Sequence, residues 1–399
     1  MQTASQMLHS LADVGQDRTR GGYTRPVYST PELDLRSWFI EEAQRRGLDV
    51  ETDRNGILWA WWGPPRDGSL VTGSHLDSVP GGGAFDGPLG VASALAAVDL
   101  LQARGIKPGR SLAITVFPEE EGSRFGVACL GSRLLTGAID ADKALRLKDS
   151  EGDTFADVAR ANGLDPRYVG VDPEALARIG NFVELHVEQG IGLGANGPGI
   201  AVGSSILGHG RWKLSIQGQG NHAGTTLMTD RADPMVAAAR IIMAVRETAA
   251  RKPDARATVG RIVPVPGGTN VIASRVDLWL DARHPDDSVT AELVEAIQGH
   301  AQLVAAEEGC VVALTEDSYS TTVHFDQALS GRIGAILPDA PVLTTGAGHD
   351  AGVLAGFVPS AMLFVRNPSG ISHSPEEHVT DQDADTGATA LADVLAGLL

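Results

Sequence analysis

The chain has 399 residues, 43% of them hydrophobic and 5% aromatic, enough for two domains or for one domain carrying a large insertion. A formal net charge of −18 argues against nucleic acid and anionic membrane surfaces as partners. No apolar run reaches membrane-span length, residues 1–8 lack the pattern of a signal peptide, and two cysteines, Cys129 and Cys310, fit a reducing compartment, so a cytoplasmic protein is expected.

Residues 70–74 are a short, partly apolar run that ends at His75 and predicts a buried strand. Asp86-Gly87-Pro88 then opens a long apolar pattern over 89–101, which predicts a helix with proline in its first turn. Residues 111–117 predict the next strand, and the acidic run Glu119-Glu120-Glu121 follows its end. Residues 182–187 repeat that arrangement with His186 near the end. Open α/β sheets place their active sites at the carboxyl ends of such strands. Residues 149–181 show no pattern that predicts an element. Further on the chain changes character: a strand over 211–217, a helix over 233–249, strands over 257–263 and 274–281, a helix over 288–307, and a strand over 310–314. The order β-α-β-β-α-β is that of a split ferredoxin-like unit. The expected fold is therefore α/β, a catalytic domain with a central mixed sheet in two parts, 1–207 and 323–399, with a ferredoxin-like lid inserted at 208–322.

Five residues stand in local sequences suited to a divalent metal: His75 and Asp86, Glu121 before Gly122-Ser123-Arg124-Phe125, His186, and His373 in Gly370-Ile371-Ser372-His373-Ser374. Imidazole with carboxylate suits zinc, manganese or cobalt and is too nitrogen-rich for calcium or magnesium. Five donors are one too many for a closed structural zinc, whereas a carboxylate bridging two ions would use all five and leave room for water. A lone histidine is usually a surface or satisfied core residue, and His9, His300 and His324 have no supporting context. His75 differs, because Asp77 two residues on is suited to orient its ring. The three glutamates alone would read as a solvated turn; their place behind an apolar strand favours a site.

Taken in order, these motifs resemble the dinuclear-metal amidohydrolases related to the M20 peptidases, in the branch of allantoate amidohydrolase, N-carbamoyl-L-amino acid hydrolase and β-ureidopropionase. The resemblance runs from about Gly21 to the C-terminus. It implies two divalent ions, zinc or manganese, with His75 and His186 on one, Glu121 and His373 on the other, and Asp86 bridging. His at position 186, where peptidase relatives carry a carboxylate, points to the ureido-cleaving branch. The resemblance also makes Glu120 the general acid/base and implies a cis Asp86–Gly87 peptide. On the lid, Gly220-Asn221-His222-Ala223-Gly224 resembles the family's histidine motif, and Asn270 and Arg283 resemble its clamp for a substrate carboxylate. Gln189 is a candidate contact to the ureido group, and His349-Asp350 a pocket wall. Leu227 replaces a common proline in the lid loop, and Pro118 precedes the acidic run.

The implied reaction is hydrolysis of the ureido C–N bond of allantoate, a small anion, with release of ammonia and carbon dioxide. The implied assembly is a homodimer through the lids, each lid completing its neighbour's site. N-carbamoyl-L-amino acids and N-carbamoyl-β-alanine are the alternative substrates. A dipeptidase fits His186 and the Asn270/Arg283 pair less well, and a catalytically inactive metabolite-binding protein would have no need of Glu120.

Overall fold

The computed structural model describes residues 2–399, which separate into two compact units. The larger unit runs to Ser205 and resumes over His324–Leu399; the smaller is Ile206–Val323.

The larger unit begins its sheet with β1 (Asp49–Thr52), β2 (Leu58–Trp62), β3 (Ser69–His75), β4 (Leu112–Phe117), β5 (Ile179–Val187) and β6 (Ile200–Ile206). In the smaller unit follow β7 (Gly208–Gln217), β8 (Asn221–His222), β9 (Arg256–Val265), β10 (Val271–Ile272), β11 (Arg275–His284) and β12 (Val311–Ser320). The chain then returns through β13 (Val323–His324), β14 (Val342–Thr345) and β15 (Ser360–Val365).

The larger sheet has the order β1-β2-β4-β3-β5-β15-β6-β13, with β14 beside β6. Its centre is parallel: β3 pairs with β4 and β5, and β5 with β15. Its flanks are antiparallel, β1 on β2, β2 on β4, and β6 on β15, so the sheet is mixed. Every residue of β3, β4 and β15 is buried, as parallel strands covered on both faces require. The helix Pro88–Ala103 carries small and aliphatic side chains almost all round and packs against the C-terminal helix Asp381–Leu398. Leu89, Val91, Leu95 and Val98 of the first share one core with Leu391, Val394 and Leu395 of the second. Emptying one such position, as in Leu95→Ala, costs ~2–5 kcal/mol.

The parallel centre aligns the strand ends: His75 stands opposite Phe117, and Val187 opposite Val365. The segments leaving these four ends carry the chemistry. Gly87 takes φ +85 and ψ −61 and turns the chain into its helix, with Pro88 at the first position. These angles are those of a γ-turn, open to glycine without a Cβ clash. The expected cis bond at Asp86–Gly87 is not found; among the described residues the one cis peptide is Val265–Pro266. The turn at Gly87 is made by rotation about its soft dihedrals instead.

Residues 149–181, unread from sequence, fold into short helices, Phe155–Ala161 and Pro173–Ala177, capped by the side chains of Thr154 and Asp172. Phe155 and Val158 join Tyr28, Phe125, Leu130 and Leu134 in a second small core. Helices this short carry too few turns for an apolar period to be seen.

The smaller unit is an antiparallel sheet, β12-β7-β11-β9, with the helices Pro234–Ala250 and Asp287–Glu307. Alternation along β7 buries Trp212, Leu214 and Ile216 against Ile241, Val245, Leu293 and Ile297 of the helices. Its main elements follow one another as β-α-β-β-α-β, with β8 and β10 forming a separate ribbon. Among the described residues no helix is long and apolar enough to cross a membrane.

Candidate metal centre

The strand ends of the larger unit bring His75, Asp86, Glu120, Glu121, His186, Gln189 and His373 together. His75 and His186 are fully buried, and the same device orients both rings. Nδ1 of His75 lies 3.0 Å from the carbonyl oxygen of Asp77, and Nδ1 of His186 lies 3.0 Å from that of Val187. Each Nδ1–H donates to a carbonyl, which leaves the Nε2 lone pair free to ligate. Asp77 thus orients the His75 ring, and does so through its backbone carbonyl. Its carboxylate, 3.6 Å from Nδ1, accepts instead the backbone N–H groups of Glu120 (3.2 Å) and Glu121 (3.1 Å).

Asp86 lies between the histidines. Its Oδ1 is 3.4 Å from His75 Nε2 and 3.2 Å from His186 Nε2, and its Oδ2 is 3.4 Å from His373 Nε2. His373 Nε2 is also 3.3 Å from Glu121 Oε2. Two donor groups result, His75/Asp86/His186 and Asp86/Glu121/His373, each with ligand atoms within 4.8 Å of one another, and Asp86 belongs to both. His75 Nε2, His186 Nε2 and Glu121 Oε1 are buried without a hydrogen-bond partner. Orphaned ring nitrogens on His75 and His186, both facing Asp86 Oδ1 in an imidazole and carboxylate set, fit a transition-metal cation.

The electrostatics agree. Burial first, then Asp86, pushes the Glu121 carboxyl well above the ordinary range, and burial does the same to Glu120 beside Asp350 and Glu121. Burial opposes protonation of His75, but Glu120, Asp77 and Asp86 outweigh it and raise its pKa well above that of free imidazole. An acid cluster buried this deeply is relieved by positive charge placed among its oxygens.

The three glutamates have separate environments. Glu119, at φ +55, is fully buried and accepts the N–H groups of Arg124 (3.0 Å) and Phe125 (2.5 Å), so it pins the turn behind the site. Glu120 Oε2 is 3.7 Å from His75 Nε2, and its Oε1 accepts from the Cys129 thiol at 3.7 Å. Glu121 faces His373. Gln189 is turned toward the donors, its Nε2 donating to Asp86 Oδ2 at 2.8 Å and lying 3.3 Å from His373 Nε2. In this structure it braces Asp86.

Sequence reasoning underrated His349. Its ring is 4.4 Å from that of His186, its Nδ1 is 3.8 Å from Glu120 Oε1, and neither ring nitrogen has a hydrogen-bond partner. With Glu184 and His186 it forms a third group of potential ligands. Glu184 itself, unread from sequence, accepts from Ser74 Oγ and from the Ala351 N–H. Its place two residues before His186 on one strand face was the available signal.

In the smaller unit His222 and Asn270 are neighbours. His222 pairs with Val271 across the β8–β10 ribbon, and the Asn270 carbonyl accepts the Ala223 N–H. Arg283 does not join them. The ribbon adjoins the end of the sheet where Arg275 pairs with Gln217, whereas Arg283 pairs with His209 about 26 Å further along β11 at ~3.3 Å per residue. A clamp made of Asn270 and Arg283 from one lid, as expected from sequence, is therefore not built. Arg283 is also held by Asp281 on its own strand, through Nε at 2.7 Å and an Nη at 2.9 Å.

Residues 71–397 match the model of peptidase family M20/M25/M40. The chain belongs to this family. This M20/M25/M40 member is 35% identical to the N-carbamoyl-L-amino acid amidohydrolase of Geobacillus stearothermophilus, over 97% of its own length and 95% of that protein's. It is 31% identical to the allantoate amidohydrolase of Escherichia coli K12, with 98% and 96% covered. Its fold is similar to the crystal structure of an amidase of the hydantoinase/carbamoylase family from Burkholderia multivorans, with a TM-score of 0.86, 31% identity, and 97% and 95% covered.

Proposed function

We propose that this amidohydrolase cleaves the ureido C–N bond of allantoate at a centre of two divalent ions, zinc or manganese. In this reading His75 and His186 hold one ion, Glu121 and His373 the other, and Asp86 is shared. The observation that carries it is the division of Asp86, whose Oδ1 faces two histidines while Oδ2 faces the third.

When bound, the ions supply the Lewis acidity that makes water a nucleophile at neutral pH. Glu120 is the residue placed to manage protons. It is buried, has no Lys or Arg ion-pair partner among the described residues, and has its backbone fixed by the Asp77 carboxylate and the Cys129 N–H. Glu120 takes a proton from the attacking water as the oxygen adds to the ureido carbon, and returns it to the leaving nitrogen. Ammonia departs, and the carbamate left on the other nitrogen loses carbon dioxide. His222 donates to the carbonyl oxygen as negative charge develops there. Arg283 of one chain and Asn270 of the other bind the substrate carboxylate.

The smaller unit is proposed as a ferredoxin-like lid through which two chains pair. Exposed Met235, Met243 and Leu303 on its two helices support such a surface. Closure of the lid would then belong to each turnover.

The second reading is an N-carbamoyl-L-amino acid substrate, supported by the 35% identity to the Geobacillus enzyme against 31% to the allantoate enzyme. Both place a ureido group beside a carboxylate. The test is ammonia release by the zinc- or manganese-loaded protein from allantoate, N-carbamoyl-L-amino acids, N-carbamoyl-β-alanine and a dipeptide. Preference for a carbamoyl amino acid would remove allantoate and leave ureido hydrolysis standing; cleavage of the dipeptide alone would remove both.

A further inference from the structure

His373 is half exposed and at φ +56, on a loop far in sequence from the other donors, so something must hold that loop against Asp86. One buried side chain spans the gap. Glu377 Oε1 accepts the backbone N–H groups of both Phe85 and Asp86, each at 3.0 Å. Its Oε2 accepts Ser372 Oγ at 3.2 Å, and that hydroxyl lies 3.3 Å from Asp86 Oδ2. The residue's own backbone is fixed by a bond from its N–H to the Ser374 carbonyl. Gly83 shows how closely the Asp86 loop is drawn over this carboxylate: a Cβ there would lie 2.2 Å from Glu377 Oε1 and 2.5 Å from its Cβ.

We propose that Glu377 is a positioning residue that ties the Asp86 loop to the His373 loop and thereby sets the affinity of the Asp86/Glu121/His373 group for its ion. The proposal rests on the two-ion reading above. The other group depends on it less, because its histidines are oriented by carbonyls on their own strand segments. Partners of this kind, which orient a ligand without touching the ion, are worth about 10–100-fold in affinity.

The test is zinc retention by the full chain, dialysed against graded chelator and read as ions per chain. Wild type is expected to hold two. Glu377→Ala is expected to lose the ion of the Asp86/Glu121/His373 group at a free zinc concentration about 10–100-fold higher, and to shift the other ion, which shares only Asp86 with it, by less. Glu377→Gln, whose amide oxygen can still accept from Phe85 and Asp86, should recover most of that loss. Ser372→Ala should shift the same ion in the same direction by less, and serves where Glu377→Ala does not fold. Equal retention of both ions by Glu377→Ala, or parallel loss of both, overturns the proposal. Fewer than two ions on wild type overturns the two-ion reading itself, whatever the variants do.

Discussion

The carboxylate of Asp77 holds the backbone N–H of Glu120 at 3.2 Å. The same residue's carbonyl holds the ring of His75, so one residue sets both a proposed ligand and the acidic run opposite it. Asp77→Asn keeps the carbonyl and the shape but puts an amide N–H against one of the two backbone donors. Turnover is expected to fall about 10–100-fold with zinc content near wild type at saturating zinc. Unchanged kcat would mean that this pin does not position Glu120.

Glu120 and Glu121 are adjacent in sequence and differ in surroundings, so their variants should differ. Glu120→Gln is expected to retain metal and lose ~10²–10⁴-fold in kcat, the size of general acid/base catalysis. Glu121→Gln is expected to lower the ions bound per chain. Metal analysis beside ammonia release reads both, and exchanged phenotypes would reverse the assignment.

Arg283 lies at one end of the four-stranded sheet, and the ribbon that carries His222 adjoins the other end. If a site takes them from different chains, mixing Arg283→Ala with His222→Ala protein should restore activity that neither homodimer has. Random exchange makes half of the dimers mixed, each with one complete site of two, so about a quarter of wild-type activity is expected. No recovery after verified exchange would mean that a site does not take the two residues from different chains.

Asp53 gives a pH dependence remote from the metal centre. Burial pushes its carboxyl up to about 6, against donors at Trp59 Nε1, Ile57 N and Asn55 N that pull it down. Because the folded chain then holds the proton more tightly than the unfolded one, this stabilisation is complete below about 3.8 and lost as pH rises through about 6. Asp53→Asn removes the titration. The Tm of the variant minus that of wild type should therefore rise between pH 5 and pH 7.5; a constant difference would show that Asp53 has no raised pKa.

Much of the centre was legible because its residues announce themselves locally. An apolar run ending in His75, another followed by Glu119–Glu121, and a third ending near His186 are strands with chemistry at their carboxyl ends, and a parallel sheet aligns those ends. The β-α-β-β-α-β order of the smaller unit was equally plain, since alternation and long helical patterns are short-range signals. Residues 149–181 were not, because helices of five and seven residues are decided by what they pack against.

By itself, then, the sequence determined which residue types could ligate and on which strand ends they stand, since both follow from local pattern. Tertiary structure decided which partners those residues keep. Glu377 looks no different in sequence from its exposed neighbour Glu376, yet only Glu377 is buried against Phe85 and Asp86. Arg283 and Asn270 are 13 positions apart in the chain, yet Arg283 stands at one end of the sheet and Asn270 beside the ribbon that adjoins the other. Hydrogen bonds between loops, and the direction of a strand across its sheet, are long-range relations, and no local periodicity encodes them.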